Sequence, residues 1–332
     1  MKITRPAYYD SFRCIASACP DSCCKEWTVV VDPDSAERYR TLPGELGSQL
    51  RAVMAEEDGG TILKLTEDRR CPMWRGDGLC RIQAQLGEEA LCHTCHQFPR
   101  LRHDYGDFVE LGLELSCPEA ARLILHGDGS DVTETLPGGE DPEYDQDAMV
   151  ILRRSREEAL AFLSSKQLSV GNSLAVLLLY GYAVQGELDF GEPAFLDADT
   201  MLDAAKSIAT GGNLNAIVDF YKSLEILTPQ WSQRLESASA TVLSEGLRPL
   251  IKYFINRYWL QAVSDYDLVG RVKLAVVSCL LIQALGKDLT EAAQIYSKEI
   301  ENNADNIDAI LDAAYTSPAL ADVALLGLLL EE

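Results

Sequence analysis

The chain lacks most of the signatures that assign a function at sight. Its 332 residues contain no uninterrupted run of about eighteen apolar side chains, the length a helix needs to cross a bilayer, so no membrane partner is expected. The opening stretch, Met1 to Asp10, has none of the apolar character of a secretion signal, and the expected location is the reducing cytoplasm. Positive charge is scarce. Only 29 Lys and Arg face 52 Asp and Glu, giving a net charge of −23, and such a surface repels phosphate backbones. A nucleic-acid partner is therefore not expected. There is no Walker-type phosphate loop, no G-x-G-x-x-G after a strand and no G-x-S-x-G elbow. Nothing marks a Rossmann-type nucleotide or methyl-donor site. Histidine is rare, with four in the whole chain.

What the chain does have is cysteine, unevenly placed. Nine of its ten cysteines lie in the first 117 residues: Cys14, Cys19, Cys23, Cys24, Cys71, Cys80, Cys92, Cys95 and Cys117. Disulfide frameworks belong mainly to short secreted chains, whereas a long chain of ordinary apolar content folds without them. Thiols at these short spacings suit a soft metal or an iron–sulfur cluster, and four thiolates suffice for one [4Fe–4S] cluster or one tetrahedral zinc. Nine thiols exceed one such site. The paired C-x2-C spacing of zinc fingers is absent, since only Cys92 and Cys95 have it. A C-x3-C-x2-C triad begins at Cys19 and Cys23 but has Glu26 in third place. Spacing alone leaves iron and zinc both open. Cys23 and Cys24, as neighbours in an extended or turning chain, are expected to face different ways. Cys92 and Cys95, three apart on a short helix predicted within 87–96, share a face, and His93 and His96 could add an imidazole there. His103 and His126 have no supporting pattern, and Cys279 reads as a small core residue.

The two halves differ in texture. Up to residue 127 the pattern predicts short strands at Thr28–Asp32, Thr61–Leu65 and Phe108–Leu115, with a turn at Asp77-Gly78 and little helix. Residues 128–147 are acidic, hold no Lys or Arg and read as a linker. From 148 to 332 the periodicity predicts helices over 147–165, 168–185, 198–210, 213–227, 245–262, 266–286, 289–301 and 316–330. The expectation is an α+β, predominantly α-helical protein. A cysteine-rich metal-binding domain with a few short antiparallel strands (1–127) precedes the acidic linker, and an all-α bundle (148–332) follows it.

In order along the chain stand Tyr8, Tyr9 and Phe12 before Cys14, then Cys19, Cys23-Cys24 and Trp27. Cys71-Pro72, Gly78-Leu79-Cys80-Arg81-Ile82-Gln83 and Leu86-Gly87-Glu88 come next. Leu91-Cys92, Cys95, Phe98-Pro99-Arg100 and Ser116-Cys117-Pro118 close the series. This series, over roughly residues 5–122, resembles the flagellin lysine N-methylase family, within the wider group that carries a CxxCxxCC-type zinc- or iron-chelating cysteine cluster. The resemblance implies a cytoplasmic enzyme that methylates lysine on flagellin or another lysine-bearing protein, with S-adenosylmethionine as methyl donor. It also implies a metal, an iron–sulfur cluster or zinc, on a subset of the nine cysteines. Tyr8, Tyr9, Glu26 and Arg100 are catalytic candidates by nearness in sequence to the cysteines. A non-catalytic zinc or iron–sulfur module that docks a protein partner, or one that handles metal or electrons, is the competing reading.

Overall fold

The structure is a computed structural model that describes residues 1–57, 59–240 and 242–330. Seven strands form two small sheets. β1 (Lys2–Pro6), β5 (Arg100–Asp104), β6 (Phe108–Leu113) and β7 (Asp131–Thr135) make the first, in the order β5-β6-β1-β7. β2 (Val29–Val31), β3 (Met54–Glu57) and β4 (Gly60–Leu63) make the second, in the order β2-β4-β3. The second sheet is antiparallel, but β1 runs parallel to β6, with Lys2 opposite Phe108. That corrects the expectation of antiparallel strands alone. The stretch expected as a linker supplies β7, which pairs along the outer edge of β1.

Among the described residues, fifteen α-helices occupy much of the rest. The first half holds α1 (Pro33–Thr41), α2 (Gly44–Val53), α3 (Arg81–Leu86), α4 (His93–Gln97) and α5 (Pro118–His126), more helix than its sequence announced. The second half holds α6 (Gln146–Ser165), α7 (Val170–Phe190), α8 (Ala198–Ile208), α9 (Leu214–Lys222) and α10 (Pro229–Glu236). It continues with α11 (Arg248–Tyr258), α12 (Leu268–Leu285), α13 (Leu289–Glu299), α14 (Ala304–Thr316) and α15 (Asp322–Leu330). The starts of many of these helices are written in side chains. Asp145, Ser169, Asp197, Asn213, Thr228, Asp267, Asp288 and Asn303 each accept a hydrogen bond from a backbone N–H of the turn that follows.

α12 is the axis of the helical region. It is long and apolar enough to cross a membrane by length and composition, yet every one of its residues is buried inside the protein. Burial of its two cations is tolerable because each is paired: Arg271 with Asp265 at 2.9 Å and Lys273 with Asp322 at 3.0 Å. Cys279 sits on this helix, fully enclosed, as expected of a core residue.

Packing groups the chain differently from a division at 127. Phe12, Phe108, Leu113, Leu115 and the apolar face of α5 belong to the same core as helices α6 to α15. The residues between them build a small core of their own, from Val29, Val31, Tyr39, Leu50, Leu63, Met73 and Ile82 together with Cys71 and Cys92. The β1–β6 sheet thus serves the helical region, and the cysteine-bearing unit is inserted into it.

Candidate functional site

The thiols are brought together by backbone connections between segments far apart in sequence. The Cys71 N–H donates to the Cys24 carbonyl at 2.7 Å, and the Glu26 N–H donates to the Arg69 carbonyl at 2.9 Å. Together these bonds lay the 24–26 segment beside 69–71. A turn at 75–79 then folds Cys80 back toward Trp74. Gly78, at φ +82°, occupies the left-handed region that a side chain would strain, and Asp77 accepts from the Leu79 N–H at 3.2 Å. Asp32 ties in the last segment. One of its oxygens caps α1 through the Ser35 N–H at 2.9 Å, and the other accepts from the His93 N–H at 2.8 Å where α4 begins. Burial alone would raise the Asp32 carboxyl, but these backbone donors outweigh it and hold it at about 2.

Three of the sulfurs share a placement that the cysteine spacing did not reveal. Cys80, Cys92 and Cys117 are the N-cap residues of α3, α4 and α5. Backbone N–H groups of the first turn lie near each sulfur, those of Ile82 and Gln83 by Cys80, Cys95 by Cys92, and Glu119 and Ala120 by Cys117, without closing a cap hydrogen bond. A helix N-terminus favours thiolate, the form that binds metal. The Cys80 thiol, contacted by Cys24, falls to about 6, and the Cys92 thiol, contacted by Cys95, falls to about 7. Burial pushes Cys71 up to about 11 and Cys117 up to about 12. Cys24 and Cys95, which donate to these neighbours, are held protonated.

The sulfurs are linked in pairs by contact or electrostatic reach. Cys24 bridges Cys23 and Cys80, so the adjacent thiols of Cys23 and Cys24 touch, against the expectation that they would point apart. Cys71, Cys92 and Cys95 lie within electrostatic reach of one another, and Cys23 also reaches Cys71 and Cys95. On the other side Cys23 neighbours Cys19 and Cys117, and Cys14 neighbours Cys19. Cys92 and Cys95 meet as expected, although Cys92 stands at the cap of α4 rather than within it, because residues 88–90 form a separate turn. Among the described residues no three Cys, His, Asp or Glu side chains stand in an arrangement ready to hold a metal ion. His93 is exposed and His96 half-buried, and neither joins such a group.

The helical region is bolted to this assembly at Asp21. Its carboxylate pairs with Lys298 of α13 at 2.8 Å and with Lys25 at 2.8 Å, and it accepts from Gln294 at 3.0 Å. Gln294 also donates to the Ser116 carbonyl at 2.9 Å, which sets Cys117 against the loop of Cys19 and Cys23. Burial would raise the Asp21 carboxyl, but the two lysines bring it down to about 2.

The four catalytic candidates chosen by sequence proximity separate. Tyr8 lines a cavity of about 660 Å3 between the β1–β6 face and helices α6 and α11. Tyr9 and Arg100 lie close to one another, with the Arg100 guanidinium over the Phe12 ring at 5.2 Å. Glu26 is placed elsewhere, 3.7 Å from Arg69. The structure adds a group that lacked a sequence signal. Tyr253, Arg257 and Tyr258 of α11 surround Glu301, whose side chain is completely enclosed. Tyr258 donates to Glu301 at 2.7 Å, and Arg257 pairs with it at 3.2 Å. Tyr253 and Arg257 also form the floor of the cavity. Glu114 lies close to this network and accepts from Ser116 at 2.9 Å; burial raises its carboxyl, with Arg257 opposing.

Comparison with known proteins bears on what this arrangement does. No family-level sequence model matches the chain, and no solved structure matches it. The flagellar biosynthetic protein FliU of Salmonella muenchen is 35% identical over 135 residues, which are 37% of this chain and 77% of FliU. The lysine-N-methylases of Salmonella typhimurium and Salmonella choleraesuis are each 35% identical over 37% of this chain, and the match spans about a third (32%) of their own length. With the match covering more than two thirds of FliU at that identity, the chain belongs to the flagellin lysine N-methylase family.

Proposed function

We propose that this protein transfers methyl groups from S-adenosylmethionine to lysine ε-amino groups of flagellin, and that its thiol assembly holds an iron–sulfur cluster. The observation that carries the reading is the 35% identity to FliU and the two lysine-N-methylases. The donor set fits a soft metal in its chemistry. Several thiols come from five segments, and two of them, Cys80 and Cys92 at the starts of α3 and α4, are shifted toward thiolate. Cys23, Cys24, Cys71, Cys80, Cys92 and Cys95 are the residues that would hold the cluster, and Cys14, Cys19 and Cys117 lie to one side. When bound, a cluster supplies a centre able to anchor the amino-acid part of the donor. Zinc on the same sulfurs would serve as a structural tie.

The chain's own residues must position and deprotonate the lysine, because an ammonium has no lone pair. In direct transfer the new C–N bond forms as the donor's S–CH3 bond breaks, the sulfonium leaves as a neutral thioether and one proton passes to a base. Glu114 suits that last task. It is a half-buried carboxyl whose proton affinity burial raises, three residues from Cys117.

The test is methyl transfer from isotopically labelled S-adenosylmethionine to purified flagellin by the anaerobically purified chain, with Glu114→Gln alongside. Label on flagellin lysine in the first and a loss of about 100-fold in the second are expected. Absence of label with a metal-loaded chain would contradict the reading in favour of a non-catalytic module.

A further inference from the structure

The cavity between the β1–β6 face and helices α6 and α11 reverses the charge balance of the molecule. Its walls carry eight Lys and Arg against four Asp and Glu, in a chain that has 29 against 52. Two of those cations, Lys2 and Arg153, have no carboxylate partner among the described residues, and Lys166 makes no ion pair but lies within electrostatic reach of Glu245. Arg153 is instead fixed by stacking over the Phe108 ring at 4.8 Å, which holds its guanidinium at the wall without neutralising it.

Two buried side-chain nitrogens on the same wall also lack partners. Arg156 gives its terminal nitrogens to Glu110, one of them at 2.7 Å, and leaves Nε without a partner. His103 stands opposite Glu110 in the β5–β6 register, and its Nε2 has no partner either. Buried polar nitrogens are rarely left without a partner, and these two mark this wall as polar beneath its surface. His103 carried no pattern in the sequence and is drawn in by the pairing of β5 with β6.

We propose that this cavity binds a small polyanion, a metabolite bearing phosphate or pyrophosphate, and that it is not the site of the methyl donor. Lys2, Arg153 and Lys166 supply attraction, and the Arg153 guanidinium, held flat over Phe108, supplies directed hydrogen bonds. The methyl donor carries a sulfonium, which a wall of net positive charge disfavours. The volume is within the range of about 300–1,000 Å3 usual for small-molecule sites and exceeds what a single phosphate fills.

Titration calorimetry of the full chain with inorganic pyrophosphate tests the proposal. Saturable binding is expected, weakened about tenfold in Arg153→Gln/Lys166→Gln, a variant that breaks no ion pair and whose unliganded melting temperature checks its fold. Arg122→Gln, on the far side of α5 and outside the cavity, is expected to bind as the parent does. Absence of saturable binding would overturn the proposal, as would equal affinity in the folded double variant. Displacement of pyrophosphate by S-adenosylmethionine would also overturn it, by giving the cavity to the methyl donor. None of these results depends on whether methyl transfer is observed.

Discussion

The cysteine-bearing unit and the helical region solve the folding problem in opposite ways. The helical region is closed by its own side chains: eight of its helices carry side-chain caps, and α12 is buried along its whole length with its cations paired. The cysteine-bearing unit has a core of eleven residues, two of them cysteines, and its short helices α3 and α4 begin at Cys80 and Cys92 without a side-chain cap. At α4 the carboxylate of Asp32, from a distant segment, accepts from the first-turn N–H of His93. The cysteine-bearing unit is held by backbone ties between distant segments and by Asp32, the helical region by side-chain caps and paired charges.

Metal removal is the largest way to break that contrast. Cys80→Ser or Cys92→Ser is expected to remove most of the bound metal and to abolish the cooperative melting of the inserted unit, leaving the helical signal in circular dichroism largely intact. Full metal retention in both variants would refute the ligand assignment. Cys279→Ser, by contrast, should leave metal content unchanged. In the helical region the largest effect comes from α12: Leu281→Ala should cost about 2–5 kcal/mol in denaturant unfolding, with no change in metal content.

The bolt between the two regions gives a smaller and pH-dependent effect. Asp21 titrates at about 2 in the folded protein, below the ordinary 3.8, so its pairing contributes stability above pH 4 that is lost as pH falls toward 2. The contribution is on the order of 2 kcal/mol. Lys298→Met should flatten that acid limb of the stability profile; an unchanged profile would show that Lys298 does not hold Asp21. The smallest effect expected is at the double cap. Asp32→Ala should cost about 1 kcal/mol and loosen α1 and α4 together, read as faster amide exchange at both Ser35 and His93.

What could be read beforehand follows the range of the interactions. The gathering of nine cysteines, the Asp77-Gly78 turn, the burial of Cys279 and most helices beyond 147 are local patterns, and the chain shows them directly. β1 was invisible, because its partner β6 lies about a hundred residues away and Lys2–Pro6 makes no pattern alone. α5 was missed for a related reason: its nine residues are too few for a convincing period, and its apolar face is explained only by α11 and α13 packed against it. The helices α10 and α14 fell between predicted segments that were drawn too long. The cap positions of Cys80, Cys92 and Cys117 were partly legible, since Pro118 after Cys117 marks a first helical turn. The Tyr253, Arg257, Tyr258 and Glu301 cluster had no signal at all, because burial and not spacing makes those residues unusual.

Metal and sulfide analysis of the anaerobically purified chain, with its visible absorption spectrum, tests the central claim most directly. The account predicts iron with inorganic sulfide and a broad visible absorption that Cys80→Ser and Cys92→Ser remove. A colourless protein carrying neither iron nor sulfide, with all nine thiols free to react, would contradict it.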